Sequence, residues 1–573
     1  MKYCLKILKF VFIPLLLYGC SKEIENDLTI TNVNVINVEN GEVLKSMDIS
    51  INKNKISGIT NHKNNIQYKG KLVDGTDKYV IPGLFDMHTH IFNNSDPQPP
   101  NIWYFPLMLA NGVTGVRDMW VKTKEQSEQV VEWREKLKTN DFEGPRIMHI
   151  GRIVDGEEPI NGNFDVISTF DDAKAYVLKL KNEGIDFVKV YSKINKEAYD
   201  GFIEETQKQG MYVAGHPPLS IPLEYLSNTG MKSIEHVTMH HLYFSGIEDS
   251  LRPKFTRNLL DNDALAEAVR TFDEKKFENI VKVLVENKTF ISPTIWTSKI
   301  DIANLGMDFF EDQEGVPFIP PDEYAEWQHF RDTKPNLSDE TNKRNDSIFV
   351  HEKFLIKKMY DAGVQLLAAT DVGYYYMIPG FSLIDEVIEL KDAGISELGA
   401  LQTATINPAK YFNATDSLGT IEKDKLADIV ILEANPLEDI KNLKKINATI
   451  INGKLFDKEA LGKMKMKVLT ANYKSTLKNL PPVVNPEDIK INLEKYTGEY
   501  ATLNNGYTFK VVIRDSLLTI DYGYIIDKLE PFSKRLFRVQ NSNVYYNFAV
   551  NEKNEIIGLE VLFNGRAFEY LKK

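Results

Sequence analysis

Cysteine is nearly absent from this 573-residue chain: there are two, Cys4 and Cys20. Beyond residue 20 no thiol is available for nucleophilic catalysis, a disulfide or a Cys-ligated zinc ion. Any metal site must therefore be built from His, Asp, Glu and Lys. Positive charge is also in deficit, with 69 Lys and Arg against 81 Asp and Glu and a net charge of −12. No basic stripe is offered to phosphates, which excludes a nucleic-acid binder. Long apolar runs, internal repeats and low-complexity tracts are missing too. What remains, 43% hydrophobic and 26% charged residues, is the composition of a soluble globular protein, and the length predicts two to four domains.

The first twenty residues carry lysines at 2, 6 and 9, followed by an apolar run from Phe10 to Leu17. That run is too short to span a bilayer and has the layout of a secretory signal. It closes on Leu17-Tyr18-Gly19-Cys20, which resembles the bacterial lipobox. The expectation is a signal peptide over 1–19, lipidation of Cys20 and a polar tether over 20–27. The protein would then be anchored by lipid in the bacterial cell envelope, periplasmic or surface-exposed. A buried cysteine behind a leader cleaved elsewhere is the other reading.

Residues 28–80 read as short strands separated by turn residues such as Asn40-Gly41 and Gly75. They need a partner sheet, and a candidate lies far downstream at LADIVILEANP and ATIINGKLF, within 408–456. Between these regions, over 81–407, short apolar runs alternate with amphipathic stretches of helical length. YVIPGLFDMHTH is followed by GVTGVRDM, RIMHIG, FVKVYS, MYVAGH, KSIEHV, FISPTI and VQLLAATD, which makes eight. Gly112, Gly184, Gly210, Gly230 and Gly363 each stand where a helix should end in a left-handed cap. Eight strand–helix units predict an α/β chain built on a (β/α)8 TIM barrel with insertions. A doubly wound open sheet also fits the periodicity.

The active site of such a barrel lies at the C-terminal ends of its strands. On a strand, side chains alternate faces, so His88 and His90 point the same way and can share a metal ion. Most of the other proposed strands end in a polar group: Asp118, His149, Lys189, His216, His236, Thr294 and Asp371. The alternation in FVKVY sets Phe187, Lys189 and Tyr191 on one face, and an inward lysine is costly unless paired or chemically altered. Singly these residues have plainer readings: a lysine reaching the rim, a core histidine, an aspartate capping a helix. Their joint order, HxH, Lys, His, His, Asp, is what points to a metal site; His149 is assigned to scaffold.

The stretches VIPGLFDMHTH, ANGVTGVRD, GIDFVKVY, AGHPPLS, KSIEHV, AATDVG, TINPAKYF and LGTIEKDKLADIVILEANPLEDI resemble the amidohydrolase superfamily, in particular its imidazolonepropionase-like and prolidase-like members. The resemblance covers about residues 28–456 and implies that 28–80 and 408–456 form one composite β-sandwich. It implies two divalent metal ions of the zinc type, one held by His88, His90 and Asp371 and the other by His216 and His236. Lys189, carboxylated by carbon dioxide to a carbamate, would bridge them. Asp371 would carry the proton, and Tyr191 would contact substrate. The implied activity is hydrolysis of C–N bonds, by a metal-activated hydroxide, in small amides such as dipeptides, N-acyl amino acids or cyclic amides. A lactonase or phosphotriesterase on the same site, and a non-catalytic nutrient-binding lipoprotein, are the competing expectations. The one departure noted is Asp424 before Lys425, where the family more often has glycine.

Residues 457–490 read as a linker. Residues 491–573, from YTGEY onward, read as short strands of a small antiparallel barrel or sandwich, similar to the lipocalin-like domain of some secreted bacterial hydrolases. The sequence leaves a homo-oligomer open.

Overall fold

The structure is a computed structural model. It describes residues 22–92, 101–257, 261–305, 309–310, 312–332, 338–474, 491–502, 508–521, 526–531, 535–540, 544–551, 553–563 and 566–573. The leader and Cys20 lie outside the described residues. Among those described, no helix is long and apolar enough to cross a membrane.

Seven parallel strands follow one another around the central unit: Leu84–Thr89, Val113–Asp118, Arg146–Asp155, Phe187–Val190, Tyr212–Gly215, Ser233–Glu235 and Phe290–Ser292. Helices separate them in sequence, and the strands are buried on both faces, as parallel sheets covered by helices must be. The eighth position is held by 364–372, which forms isolated bridges and not a continuous ladder. Leu367 N donates to Ile291 O, and on the other side Met87 N donates to Ala368 O, Asp371 N to His88 O and His90 N to Val372 O. The ring is therefore nearly closed, in agreement with the (β/α)8 expectation and against an open sheet. All five glycines expected at helix ends have positive φ.

The chain enters this barrel through Gly83. Tyr79–Pro82 belongs to one sheet and Leu84–Thr89 to the other. A Cβ at Gly83 would stand 2.0 Å from Thr114 Oγ1, so only glycine lets the crossover run this close to the neighbouring strand Val113–Asp118.

The flanking segments build one connected eight-stranded mixed sheet. Its order is Lys454–Asp457, Ile446–Ile451, Ile429–Leu432, Tyr79–Pro82, Lys22–Ile36, Val43–Asn52, Lys55–Asn61, with Ile66–Asp74 beside the start of Lys22–Ile36. Val80 lies opposite Ile431 in an antiparallel pair, so segments distant in sequence share one core of Ile30, Val33, Ile49, Ile51, Ile429 and Ile450.

Two local readings change. The stretch 457–490, read as a linker, opens with the helix Lys458–Lys474, which buries Leu461, Met466 and Val468; its lysine-rich surface masks that apolar face. The strand Arg146–Asp155 runs six residues past His149. His149 is thus not at a strand end: its Nδ1 lies 2.9 Å from Tyr212 Oη, and its ring packs against Phe412.

The C-terminal strands close into an eight-stranded antiparallel barrel in sequential order, with Gly498–Thr502 paired to Arg566–Lys572. Closure leaves no free edge, and Tyr500, Phe509, Phe537, Tyr546, Phe548 and Tyr570 pack into its core. An eight-stranded barrel is just wide enough for side chains to fill.

Candidate metal centre

The predicted strand-end residues converge at the C-terminal mouth of the central barrel. His88, His236 and Asp371 each place a ligand atom so that all lie within 4.8 Å of one another. Around them, His90 Nε2 is 2.8 Å from Asp371 Oδ1, and Lys189 Nζ is 3.0 Å from His88 Nε2. The His216 ring stands 4.6 Å from that of His236 and is stacked on Tyr191 at 3.7 Å. His149 stays outside this group.

The inward placement of Lys189 follows the alternation of its strand. Phe187 stacks on Tyr212 inside the barrel, Val188 and Val190 join the core outside it, and Lys189 is 1% exposed. Burial lowers its ammonium to about 8, with Asp371 and Glu235 pulling the other way.

Three residues reach the site by breaking the strand alternation. His236, Thr294 and Asp371 have φ of 63°, 49° and 59°, a left-handed conformation that costs roughly 1–3 kcal/mol outside glycine and gathers at functional sites. At His236 the turn lets Glu235 and His236, adjacent in sequence, both face the barrel interior. Sequence reading passed over Glu235. Its Oε2 lies 3.1 Å from His88 Nδ1, and Arg117 Nη2 donates to both of its oxygens at 2.9 Å. Arg117 is held in turn by Met87 O, Ser233 Oγ and Tyr411 Oη. Burial alone would raise the Glu235 carboxyl, but the Arg117 guanidinium holds it well below its ordinary range.

That pair sets the chemistry of His88. A carboxylate can only accept, so a proton sits on His88 Nδ1, and Nε2 is the atom that His88 can offer to a metal ion. Asp371 Oδ1 stands 3.2 Å from this same Nε2. Burial would raise Asp371, yet His88 and His90 hold it well below the ordinary carboxylate value. A carboxylate oxygen and an imidazole nitrogen thus stand close enough for one cation, a proton or a metal ion, to satisfy both. Two of the other rings have a partner on Nδ1: Ser192 Oγ lies 3.1 Å from His216 Nδ1, and Thr294 Oγ1 lies 2.9 Å from His236 Nδ1. Such partners aim the rings of metal-ligating histidines. Burial lowers His90 to about 4, His236 to about 3 and His216 well below its usual value, so all three are neutral and able to ligate at pH 7. The donor set fits a divalent ion of the zinc type.

Two more buried carboxylates brace the mouth. Asp86 accepts from Thr370 Oγ1 at 2.6 Å and from the backbone of His88 and Thr370, tying the first strand to the eighth segment. Asp118 accepts from Ile91 N at 2.6 Å and Trp120 N at 3.0 Å, fixing the turns after the first and second strands.

Residues 79–456 match the model of the amidohydrolase family, and the chain belongs to that family. Among solved structures it is similar to a bottromycin amidohydrolase, with a TM-score of 0.62 and 20% identity, covering 78% of this chain and 90% of that one. It is also similar to a Xaa-Pro dipeptidase with methionine bound in its active site, with a TM-score of 0.54 and 20% identity, covering 75% and 99%. Among curated proteins, an adenine deaminase of Staphylothermus marinus is 34% identical over 93 residues, a match to 16% of this chain and 15% of the relative's length. The His/His/Asp group fits an amidohydrolase metal site.

Proposed function

We propose that this protein is a metal-dependent amidohydrolase that cleaves C–N bonds in small peptide-like amides, such as dipeptides or N-acyl amino acids. The observation that carries this reading is the facing of Asp371 Oδ1 and His88 Nε2 at 3.2 Å, with His236 completing the group, at the mouth of the barrel. The names of the solved neighbours, an amidohydrolase and a Xaa-Pro dipeptidase, support an amide substrate.

His88, His90 and Asp371 would hold one ion, His216 and His236 a second, and Lys189 would bridge them as a carbamate. Divalent ions bound there supply an activated water at neutral pH and polarise the substrate carbonyl. Asp371, kept ionised by its two histidines, takes the proton of the attacking water on a carboxylate oxygen and passes it to the departing nitrogen. Tyr191, stacked on His216, would touch the substrate. Turnover of dipeptides, N-acyl amino acids, adenine and lactones by the zinc-loaded protein tests the reading. Cleavage of amides supports it; turnover confined to lactones or adenine, or none at all, rejects it.

The lipid anchor is part of the same proposal and places the enzyme in the cell envelope. Several acyl chains on Cys20 would hold it firmly, where one chain binds only marginally. Cys20→Ala should shift the protein out of the membrane fraction or arrest its maturation. Fractionation that finds the wild type soluble, with an N-terminus other than Cys20, ends the idea.

A further inference from the structure

An aromatic series runs along one side of the metal centre, from the first ligand pair to the fifth strand. The Trp120 ring meets His90 edge-on at 6.3 Å and Phe164 edge-on at 5.2 Å. Phe164 meets Tyr191 at 4.8 Å, and Tyr191 stacks on His216 at 3.7 Å. Trp120, Phe164 and Tyr191 are each only partly buried, so part of each side chain stays accessible.

The wall is rigid. Asp118 holds the backbone of Trp120 through its N–H, and Lys122 Nζ sits 4.2 Å over the indole ring. Phe164 lies in the loop after Asp155, whose buried carboxylate accepts from Gly156 N, Ile160 N and Lys193 N at 3.0, 3.0 and 2.7 Å. Three backbone donors on one carboxylate fix the base of that loop and its height over the fourth strand. A preorganised apolar face loses little ordering entropy when a ligand covers it.

We infer that Trp120 and Phe164 form a specificity wall that selects amide substrates carrying a planar ring next to the scissile bond. The inference rests on the amide reading above and adds the substrate class. Aromatic rings prefer edge-to-face or offset contacts with centroids 4.5–7 Å apart, the spacing that Trp120, Phe164 and Tyr191 already keep among themselves. A substrate ring would extend the series and cover the open surface; a methyl side chain would leave most of it wet.

The test is binding, which needs no cleavage. Matched ketomethylene isosteres, in which a CH2 replaces the scissile NH, would carry benzyl or methyl side chains on both flanking positions. They would be titrated calorimetrically into the metal-loaded full chain. The benzyl compound should bind the wild type at least about 10-fold more tightly than the methyl compound. Trp120→Leu and Phe164→Leu, which keep apolar volume and remove the ring, should each lower that ratio by about 3-fold or more. Equal affinity of the two compounds for the wild type overturns the inference. So does a ratio that survives both substitutions, or a loss that weakens both compounds alike, which would make the two rings scaffold. If one variant fails to fold, the other carries the comparison. A protein that binds the benzyl isostere selectively but cleaves no amide would reject the proposed reaction and leave the wall standing.

Discussion

Asp371→Asn is expected to leave the barrel folded and to lower turnover by about 10²–10⁴-fold, the usual cost of losing a general acid–base group. The fold should survive because the eighth segment is held by its backbone, through Asp371 N to His88 O and His90 N to Val372 O. The threonine before it, bonded to Asp86, is untouched. Function should not survive. The amide keeps one oxygen, but it has lost the negative charge that would face a bound ion, and it cannot take up a proton. Its NH2 group, turned toward either ring nitrogen, would supply a donor where the wild type presents only acceptors. Circular dichroism and metal content, measured beside turnover, separate the proton-carrying role from mere ligation. A variant that keeps its metal and still turns over at close to the wild-type rate would remove Asp371 from the chemistry.

How far the sequence reached depended on whether a residue's role follows from local periodicity. The HxH pair and Lys189 were readable because a strand's period of two dictates which side chains share a face. The barrel was readable because its helix-ending glycines recur, each with the positive φ that a left-handed cap requires. Glu235 was not readable, since alternation sends it to the face opposite His236. Only the left-handed turn at His236 brings both inward, and Glu235's partners, His88 and Arg117, are more than 110 residues away in sequence. His149 misled for a different reason: the strand continues to Asp155 straight through Gly151, where the sequence pattern ends it. The eighth position was found from its apolar run, although it forms bridges and no ladder. The aromatic wall, made by three loops, has no sequence period at all.

Lys189→Ala should lose bound metal together with activity, by at least the ~10²-fold expected when an activated water is lost. The native side chain is 1% exposed and ends 3.0 Å from His88 Nε2. Once two divalent ions were bound, they would repel an ammonium that burial has already stripped of its hydration, so the charged amine is the state a metal-loaded site supports least. Burial has already lowered it to about 8, which leaves far more neutral amine at pH 7 than an ordinary lysine has. The neutral amine is the form that adds to carbon dioxide: a C–N bond forms, one proton leaves, and a carbamate with two oxygens and one negative charge remains. A neutral lysine has one lone pair and cannot bridge two ions, whereas the carbamate can. A short carboxylic acid added to Lys189→Ala should therefore restore part of the metal and part of the turnover. Lys189→Glu, which carries two oxygens of its own, should keep more metal than Lys189→Ala. Elemental analysis reads the metal, and protein labelled from ¹³C-bicarbonate should show a carbamate carbon that Lys189→Ala lacks. A crystal grown with metal and bicarbonate decides the matter. Two ions beside a plain lysine amine would sink the bridge, and a one-metal centre on His88, His236 and Asp371 would take its place.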